Sequence, residues 1–191
     1  MTAFPASPDS VRLALPAEAL AIAQIQRRAW EQRLAPEAAA VLGEVDLDAM
    51  TAAWHRAITR PPAARFRVLV AVAAGLAGDR DRVVGFAATV PSDDADAEPQ
   101  DGAIDEFAID PPAQRQGHGS RLLHACVDTL RADGFTRASW WLGSDDVLRT
   151  FATAAGWAPD GAARELGVDD DEHPDVRLQQ VRLHADIAPE T

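Results

Sequence analysis

The run Ile109-Asp110-Pro111-Pro112-Ala113-Gln114-Arg115-Gln116-Gly117-His118-Gly119-Ser120-Arg121-Leu122-Leu123 has the residue types and spacing of an anion site. A hydrophobic segment ends at the proline pair, a short loop carries two glycines one residue apart, and an apolar pattern of helical period follows. At such a junction the first N–H groups of the helix lack intrahelical acceptors, and the helix dipole adds partial positive charge. Gly117 and Gly119 present backbone without a side chain to hold a ligand away. Gln114, Arg115 and Gln116 can add side-chain donors, and a pyrophosphate is the natural guest. Paired glycines also occur in ordinary turns, so the spacing taken alone is weak.

The elements that must hold this loop lie on either side of it. Residues 103–109 form the strand leading in, and 117–132 form the helix leading out, ended by Gly134. Upstream, 11–15 is a short strand closed by Pro16, where a helix opens with Ile22, Ile25 and Ala29 at i, i+3, i+7. Helices at 36–42 and 46–58 follow, the second carrying Met50, Trp54 and Ile58 at i, i+4, i+8. β-branched and alanine-rich runs at 66–74 and 83–90, separated by the polar turn 78–82, form an antiparallel hairpin.

Residues 91–102 hold five carboxylates, two prolines and no aliphatic residue larger than alanine, which predicts a solvated, mobile loop without regular structure. Beyond the central helix, a strand at 137–142 puts Trp140 and Trp141 on opposite faces, so that one of them can line a cleft. A helix at 145–155 stopped by Gly156 and strands at 162–166 and 176–187 complete the order. Trp30, Trp54 and Trp157 read as core or helix-packing residues, and the acidic run 169–172 before His173 as a solvated loop rather than a metal site.

The formal net charge of -12, with no Arg-rich block, argues against nucleic acid as a partner. It favours a cationic one, a small amine or basic peptide, although acidity is also a common solubility device. The single cysteine, Cys126, falls with Leu122 and Leu130 at i, i+4, i+8 and reads as a small core residue. Met1 to Ser10 lacks a basic segment followed by an apolar one, and no 18-residue apolar stretch occurs, so the expectation is a cytoplasmic protein with no membrane association. The length suits a single domain over 1–191 with a flexible 1–10.

Gln114-Arg115-Gln116-Gly117-His118-Gly119 matches the Gln/Arg-x-x-Gly-x-Gly/Ala signature of the GNAT N-acetyltransferase superfamily, which the chain resembles. The order of hydrophobic strand, Asp-Pro pair, signature and Leu-Leu on a helix is similar as well. Phe151-Ala152-Thr153-Ala154-Ala155-Gly156-Trp157 resembles the family's Phe-Tyr-x-x-x-Gly-Phe ending. The first strand and the helix carrying Ala29-Trp30 also look similar, so the resemblance covers nearly the whole chain.

That resemblance implies an α/β fold: a GNAT-like mixed, mostly antiparallel sheet of six or seven strands, helices on both faces, and a central splay between 103–109 and 137–142. It implies acetyl-CoA as co-substrate, with pantetheine along Phe107, Ala108 and Ile109 and pyrophosphate on Gln114, Arg115, Gln116, Gly117, Gly119 and Ser120, near Phe151. His118 is expected to be a variable exposed position within reach of a phosphate. An amine attacking the thioester directly needs a base, an oxyanion stabiliser and an acid for the thiolate.

The family's base is a carboxylate on the strand before the signature, where Asp105 and Glu106 both stand. Successive strand residues face opposite sides, so at most one is expected in the cleft, and side-chain reach favours Glu106. The family's acid, a tyrosine, falls on Ala152, and the chain contains no tyrosine. Ser144, Thr150 or water are the replacements, and Asp145 stands where the family often has Asn. A non-catalytic acyl-CoA-binding sensor or interaction module is the alternative on the same fold, and a homodimer is an open expectation. An acetylating toxin acting on transfer RNA would demand a basic surface, against which the charge argues.

Overall fold

A computed structural model describes residues 9–75, 80–144, 147–167 and 176–189. Its strands are β1 (Ser10–Leu13), β2 (Arg67–Ala73), β3 (Arg82–Pro91), β4 (Asp101–Ile109), β5 (Arg137–Gly143), β6 (Ala158–Gly167) and β7 (Arg177–Asp186). Its helices are α1 (Ala19–Arg33), α2 (Pro36–Gly43), α3 (Leu47–Thr59), α4 (His118–Ala132) and α5 (Val147–Ala154). The strands form one sheet in the order β1-β2-β3-β4-β5-β7-β6. Only β4 and β5 are parallel neighbours; the other pairs are antiparallel, as expected.

The middle of the sheet is buried on both faces, which explains the mostly apolar composition of β2 and β3. Val68, Val70 and Val72 turn one way, where Ile22, Ile25 and Ala29 of α1 meet them together with Phe86 and Ala108. Leu69 and Ala71 turn the other way, into a cluster with Val84, Phe107, Trp140 and the α4 residues Leu122, Leu123, Cys126 and Leu130. Trp54 of α3 packs on the first cluster and Trp157 lies in the second. Burial pushes the Cys126 thiol well above its ordinary range, so this cysteine is a core residue and not a nucleophile.

Two features of β4 shape the site. Its pairing with β5 runs from Asp101↔Arg137 to Ile104↔Trp140 and no further, so the two strands part beyond that point. Against β3, Ile104 pairs with Thr89 and Glu106 with Ala88, which leaves Asp105 as the extra residue of a bulge. The bulge reverses the alternation: Ile104, Phe107 and Ile109 pack in the α4 cluster, while Ala108 packs in the α1 cluster. The strict alternation expected across Asp105 and Glu106 therefore does not hold.

The acidic stretch 91–102 departs in part from its expectation: 92–100 is irregular and mostly exposed, as expected, but its ends belong to strands and its middle is tied down. Pro91 ends β3, Asp101 and Gly102 begin β4, and the segment between them is fastened by Arg182 of β7. Arg182 donates to Asp94 (3.0 Å), Asp96 (2.7 Å) and Asp160 (2.7 Å), and the Trp141 indole donates to Asp94 (2.9 Å). Asp101 is 5% exposed and accepts from the Arg137 guanidinium (3.0 Å). A cation supplied from 86 to 88 residues downstream ties this run down as a strap, which composition within the run could not reveal.

At the N-terminal end, Ser10 is in β1 and the Ala74 N–H donates to Asp9 (3.0 Å), so residues 9 and 10 of the segment expected to be flexible are tied to the sheet. Residues 1–8, Asp145 and the acidic run 169–173 lie outside the described residues. Among the described residues, no helix is long and apolar enough to cross a membrane and no cluster could hold a metal ion.

Candidate active site

The loop between β4 and α4 begins with a one-turn helix, Pro111–Ala113, whose prolines occupy its opening positions. Its course is fixed by α1. Arg28 grips Asp110 with two hydrogen bonds, Nε to Oδ1 (2.9 Å) and the terminal nitrogen to Oδ2 (3.1 Å), and Asp110 is 5% exposed. One turn further along α1, Gln32 exchanges hydrogen bonds with Gln114 (2.7 and 3.3 Å). Neither α1 residue carries a sequence signal; they lie on the flank of an apolar stripe that otherwise reads as plain core.

The loop then winds through two left-handed residues, Arg115 at φ 63° and Gly117 at φ 86°. Gly117 caps α4, and its carbonyl accepts the first helical bond from the Arg121 N–H (3.2 Å). The N–H groups of His118, Gly119 and Ser120 precede that bond and therefore have no partner within the helix. A Cβ on Gly119 would stand 3.7 Å from both Ile109 Cγ1 and Phe151 Cζ, an ordinary contact, so packing does not demand glycine there. The non-glycine left-handed residue and the glycine with room around it both fit a loop shaped to receive a ligand.

The side chains of the signature are placed differently from expectation. Gln114 donates to the Ile109 carbonyl (3.2 Å) as well as to Gln32, and Gln116 donates to the Pro112 carbonyl (3.1 Å). Both brace the loop, so its outward donors are backbone groups and the exposed Arg115 and Ser120. His118 is 3% exposed, with Arg121 at 3.4 Å and the Asp9 carboxylate at 3.7 Å from Nδ1. It is a buried anchor between α4 and the chain leading into β1, not an exposed position. The first side chain of a helix points back over the preceding turn, and here that space is filled by residue 9.

Directly ahead of the loop, β4 and β5 separate. Phe107 (2% exposed) and Trp140 (2%) floor the opening on the α4 side, with ring centroids 5.0 Å apart, and the half-buried Phe151 stands 6.1 Å from Phe107. Ala108 and Ile109 lie beside Phe107 on β4. Trp140 belongs to the core; Trp141, on the other face, lies between the guanidiniums of Arg164 (4.3 Å) and Arg182 (5.6 Å).

Glu106 meets α1: Gln26 donates to its Oε1 (3.0 Å), and the Trp54 indole donates to the Gln26 oxygen (2.8 Å). Burial raises the Glu106 carboxyl above the usual carboxylate range, and the nearby Arg33 guanidinium and Gln26 pull it partly back. Burial also raises Asp105, helped by Asp93 and opposed by Arg164, but its residue is exposed. A carboxylate with a raised pKa is a stronger proton acceptor than an ordinary one.

The expected acids are less well supported. Ser144 lies just beyond β5, half-buried, its N–H donating to the Gln179 carbonyl (3.0 Å). Thr150 is exposed on α5, and Ala152 is fully buried in the core beside it.

The chain matches the model of the Acetyltransferase (GNAT) family over residues 22–157. No curated protein matches it. Among solved structures, yncA from Salmonella typhimurium, described with its cofactor acetyl-CoA, is similar at 19% identity, covering 97% of each chain with a TM-score of 0.67. An N-acetyltransferase from Staphylococcus aureus Mu50 is 16% identical over 95% of this chain and 100% of its own, with a TM-score of 0.69. The ribosomal-protein-S18-alanine N-acetyltransferase from Escherichia coli is 14% identical over 96% of both chains, with a TM-score of 0.60.

Proposed function

The chain belongs to the GNAT acetyltransferase family, and from that premise we propose that it is an acetyl-CoA-dependent N-acetyltransferase acting on a primary amine. The observation that carries the reading is the parting of β4 and β5 beyond Ile104 and Trp140, immediately ahead of the loop capped by Gly117. Pantetheine would lie in that gap along Phe107, Ala108 and Ile109, with Phe151 alongside. The pyrophosphate would meet the N–H groups of His118, Gly119 and Ser120 and the Arg115 side chain.

In this reading Glu106 takes the ammonium proton, directly or through a water. The amine lone pair then attacks the thioester carbonyl carbon, the C–S bond breaks as CoA thiolate leaves, and the proton still on the acylated nitrogen passes to that thiolate, giving amide and free CoA thiol. Asp105 is the weaker choice because its carboxylate stands on the exposed side of the bulge. No phenol can protonate the thiolate, since the chain has no tyrosine and buried Ala152 holds that position. A thiolate is a good leaving group, so a water or Ser144 is sufficient. The acceptor class favoured by the acidic charge is a small amine or basic peptide.

The lost tyrosine favours one second reading, a CoA-binding module without turnover. Calorimetric titration with acetyl-CoA, followed by a free-thiol assay across a panel of amines, separates the two. Binding with thiol release on an amine establishes the enzyme. Binding with no release across small amines and basic peptides favours the module, and absence of binding removes both.

A further inference from the structure

We propose that Trp54 and Gln26 form a directional hydrogen-bond relay that orients Glu106 and sets its basicity, a role resting on the reading of Glu106 as the base. Glu106 is on β4, Gln26 on α1 and Trp54 on α3, so the chain of contacts reaching the carboxyl spans three elements. The links are Trp54 Nε1 to Gln26 Oε1 at 2.8 Å and Gln26 Nε2 to Glu106 Oε1 at 3.0 Å.

The direction follows from the chemistry of the ends. An indole N–H can only donate, so it must face the amide oxygen of Gln26, which leaves the amide nitrogen toward Glu106. Turned the other way, the amide would set its oxygen against a carboxylate and its nitrogen against another donor. Gln26 is 8% exposed, so water cannot easily substitute for either contact. The relay therefore fixes Oε1 and favours the ionised carboxylate, as does the Phe107 backbone N–H, which also donates to this carboxyl.

The other charged groups acting on the carboxyl are Arg33 of α1, which favours ionisation, and Asp105 of β4, which opposes it. Burial of the carboxyl raises its proton affinity. Gln26 and Trp54 are positioning residues: they hold the base in its ionised, correctly turned state and do not touch substrate.

The test is titration of the Glu106 carboxyl by carbon-13 NMR in the full chain, the resonance being assigned by its loss in Glu106→Gln. Gln26→Met, which keeps length and removes the donor, is expected to raise the midpoint by about one pH unit. Trp54→Phe keeps the ring packed on Phe86 (centroids 5.0 Å) and removes only the N–H; it should raise the midpoint by a smaller amount. The double variant should match Gln26→Met alone, because Trp54 acts only through Gln26.

Unmoved midpoints in both single variants, or additive shifts in the double, would overturn the relay. If Gln26→Met does not fold, Gln26→Glu provides the reading. Two carboxyls in this contact share a proton and titrate in separated steps, whereas two ordinary overlapping titrations overturn the contact. The titration needs neither acetyl-CoA nor acceptor, so its outcome is independent of whether the protein releases thiol. Where an acceptor is found, the acid limb of kcat/KM should move upward with the midpoint while acetyl-CoA affinity stays constant.

Discussion

Glu106 is held at a cost. Its pKa is raised in the folded chain, so between the unfolded and folded values the native state binds the extra proton and stability falls as pH rises through that window. At neutral pH the ionised, buried carboxylate is a net liability that a neutral amide would not carry. Glu106→Gln should therefore raise the melting temperature by a few °C, the effect of roughly 1 kcal/mol in a chain of this size, while depressing turnover and sparing acetyl-CoA binding. Thermal scanning beside a thiol assay checks this, and a lowered melting temperature would show that Glu106 is structural. If Asp105→Asn depresses turnover and Glu106→Gln does not, the base is Asp105. The carboxylate pair is visible in the sequence, because charged residues inside an apolar strand stand out. The bulge that turns Glu106 toward α1 is not, since Ile104-Asp105-Glu106-Phe107 contains no glycine or proline to announce an extra residue. Gln26 is hidden for a related reason: one polar residue beside Ile22, Ile25 and Ala29 looks like the edge of an amphipathic stripe.

The β4–α4 connection behaves as a unit. Gly117→Glu or Gly119→Glu should abolish acetyl-CoA binding by placing bulk and negative charge where the loop presents its donors, whereas Gly119→Ala should fold normally and bind more weakly, its added methyl meeting only ordinary contacts. Calorimetry reads all three, and full affinity in both Glu variants would remove the loop from the site. Arg28→Met leaves the buried Asp110 carboxylate without its cation and should cost about 1–3 kcal/mol in denaturant unfolding, with a loss of CoA affinity as the loop entrance loosens. The strap at 92–100 should respond to acid. Its hydrogen bond to Arg182 holds the Asp96 carboxyl down at about 2, so the contribution is present above the ordinary value of 3.8 and is lost as pH falls through about 2. Protection of the 93–98 amides against hydrogen exchange, taken relative to their intrinsic rates, should fall over that interval; unchanged protection would mean that the strap is held by other contacts. Element identities are mostly readable from period and punctuation, because prolines and glycines stand at the real boundaries. The strap is not, because its cation, Arg182, is remote in sequence.

At the scale of the molecule, a net charge of -12 makes attraction of a cationic acceptor dependent on salt. Apparent KM for such an acceptor should rise with ionic strength while that for acetyl-CoA, itself an anion, should not rise in parallel; equal behaviour of the two would mean that the acidity serves solubility alone. The layered α/β arrangement follows from composition and pattern, since β2 and β3 are too uniformly apolar to face water on either side. The acceptor pocket does not follow, because the residues that would line it come from separate elements brought together only by the fold.

The parting of β4 and β5 has a consequence for handling the protein. Beyond Ile104 and Trp140 the two strands no longer pair with each other, so the sheet has two inner margins besides the outer ones at β1 and β6. Open strand margins recruit other chains. A CoA molecule seated there would act as a stopper against self-association, whether or not it is ever consumed, and protein stored without it should scatter more light with time than protein stored with it.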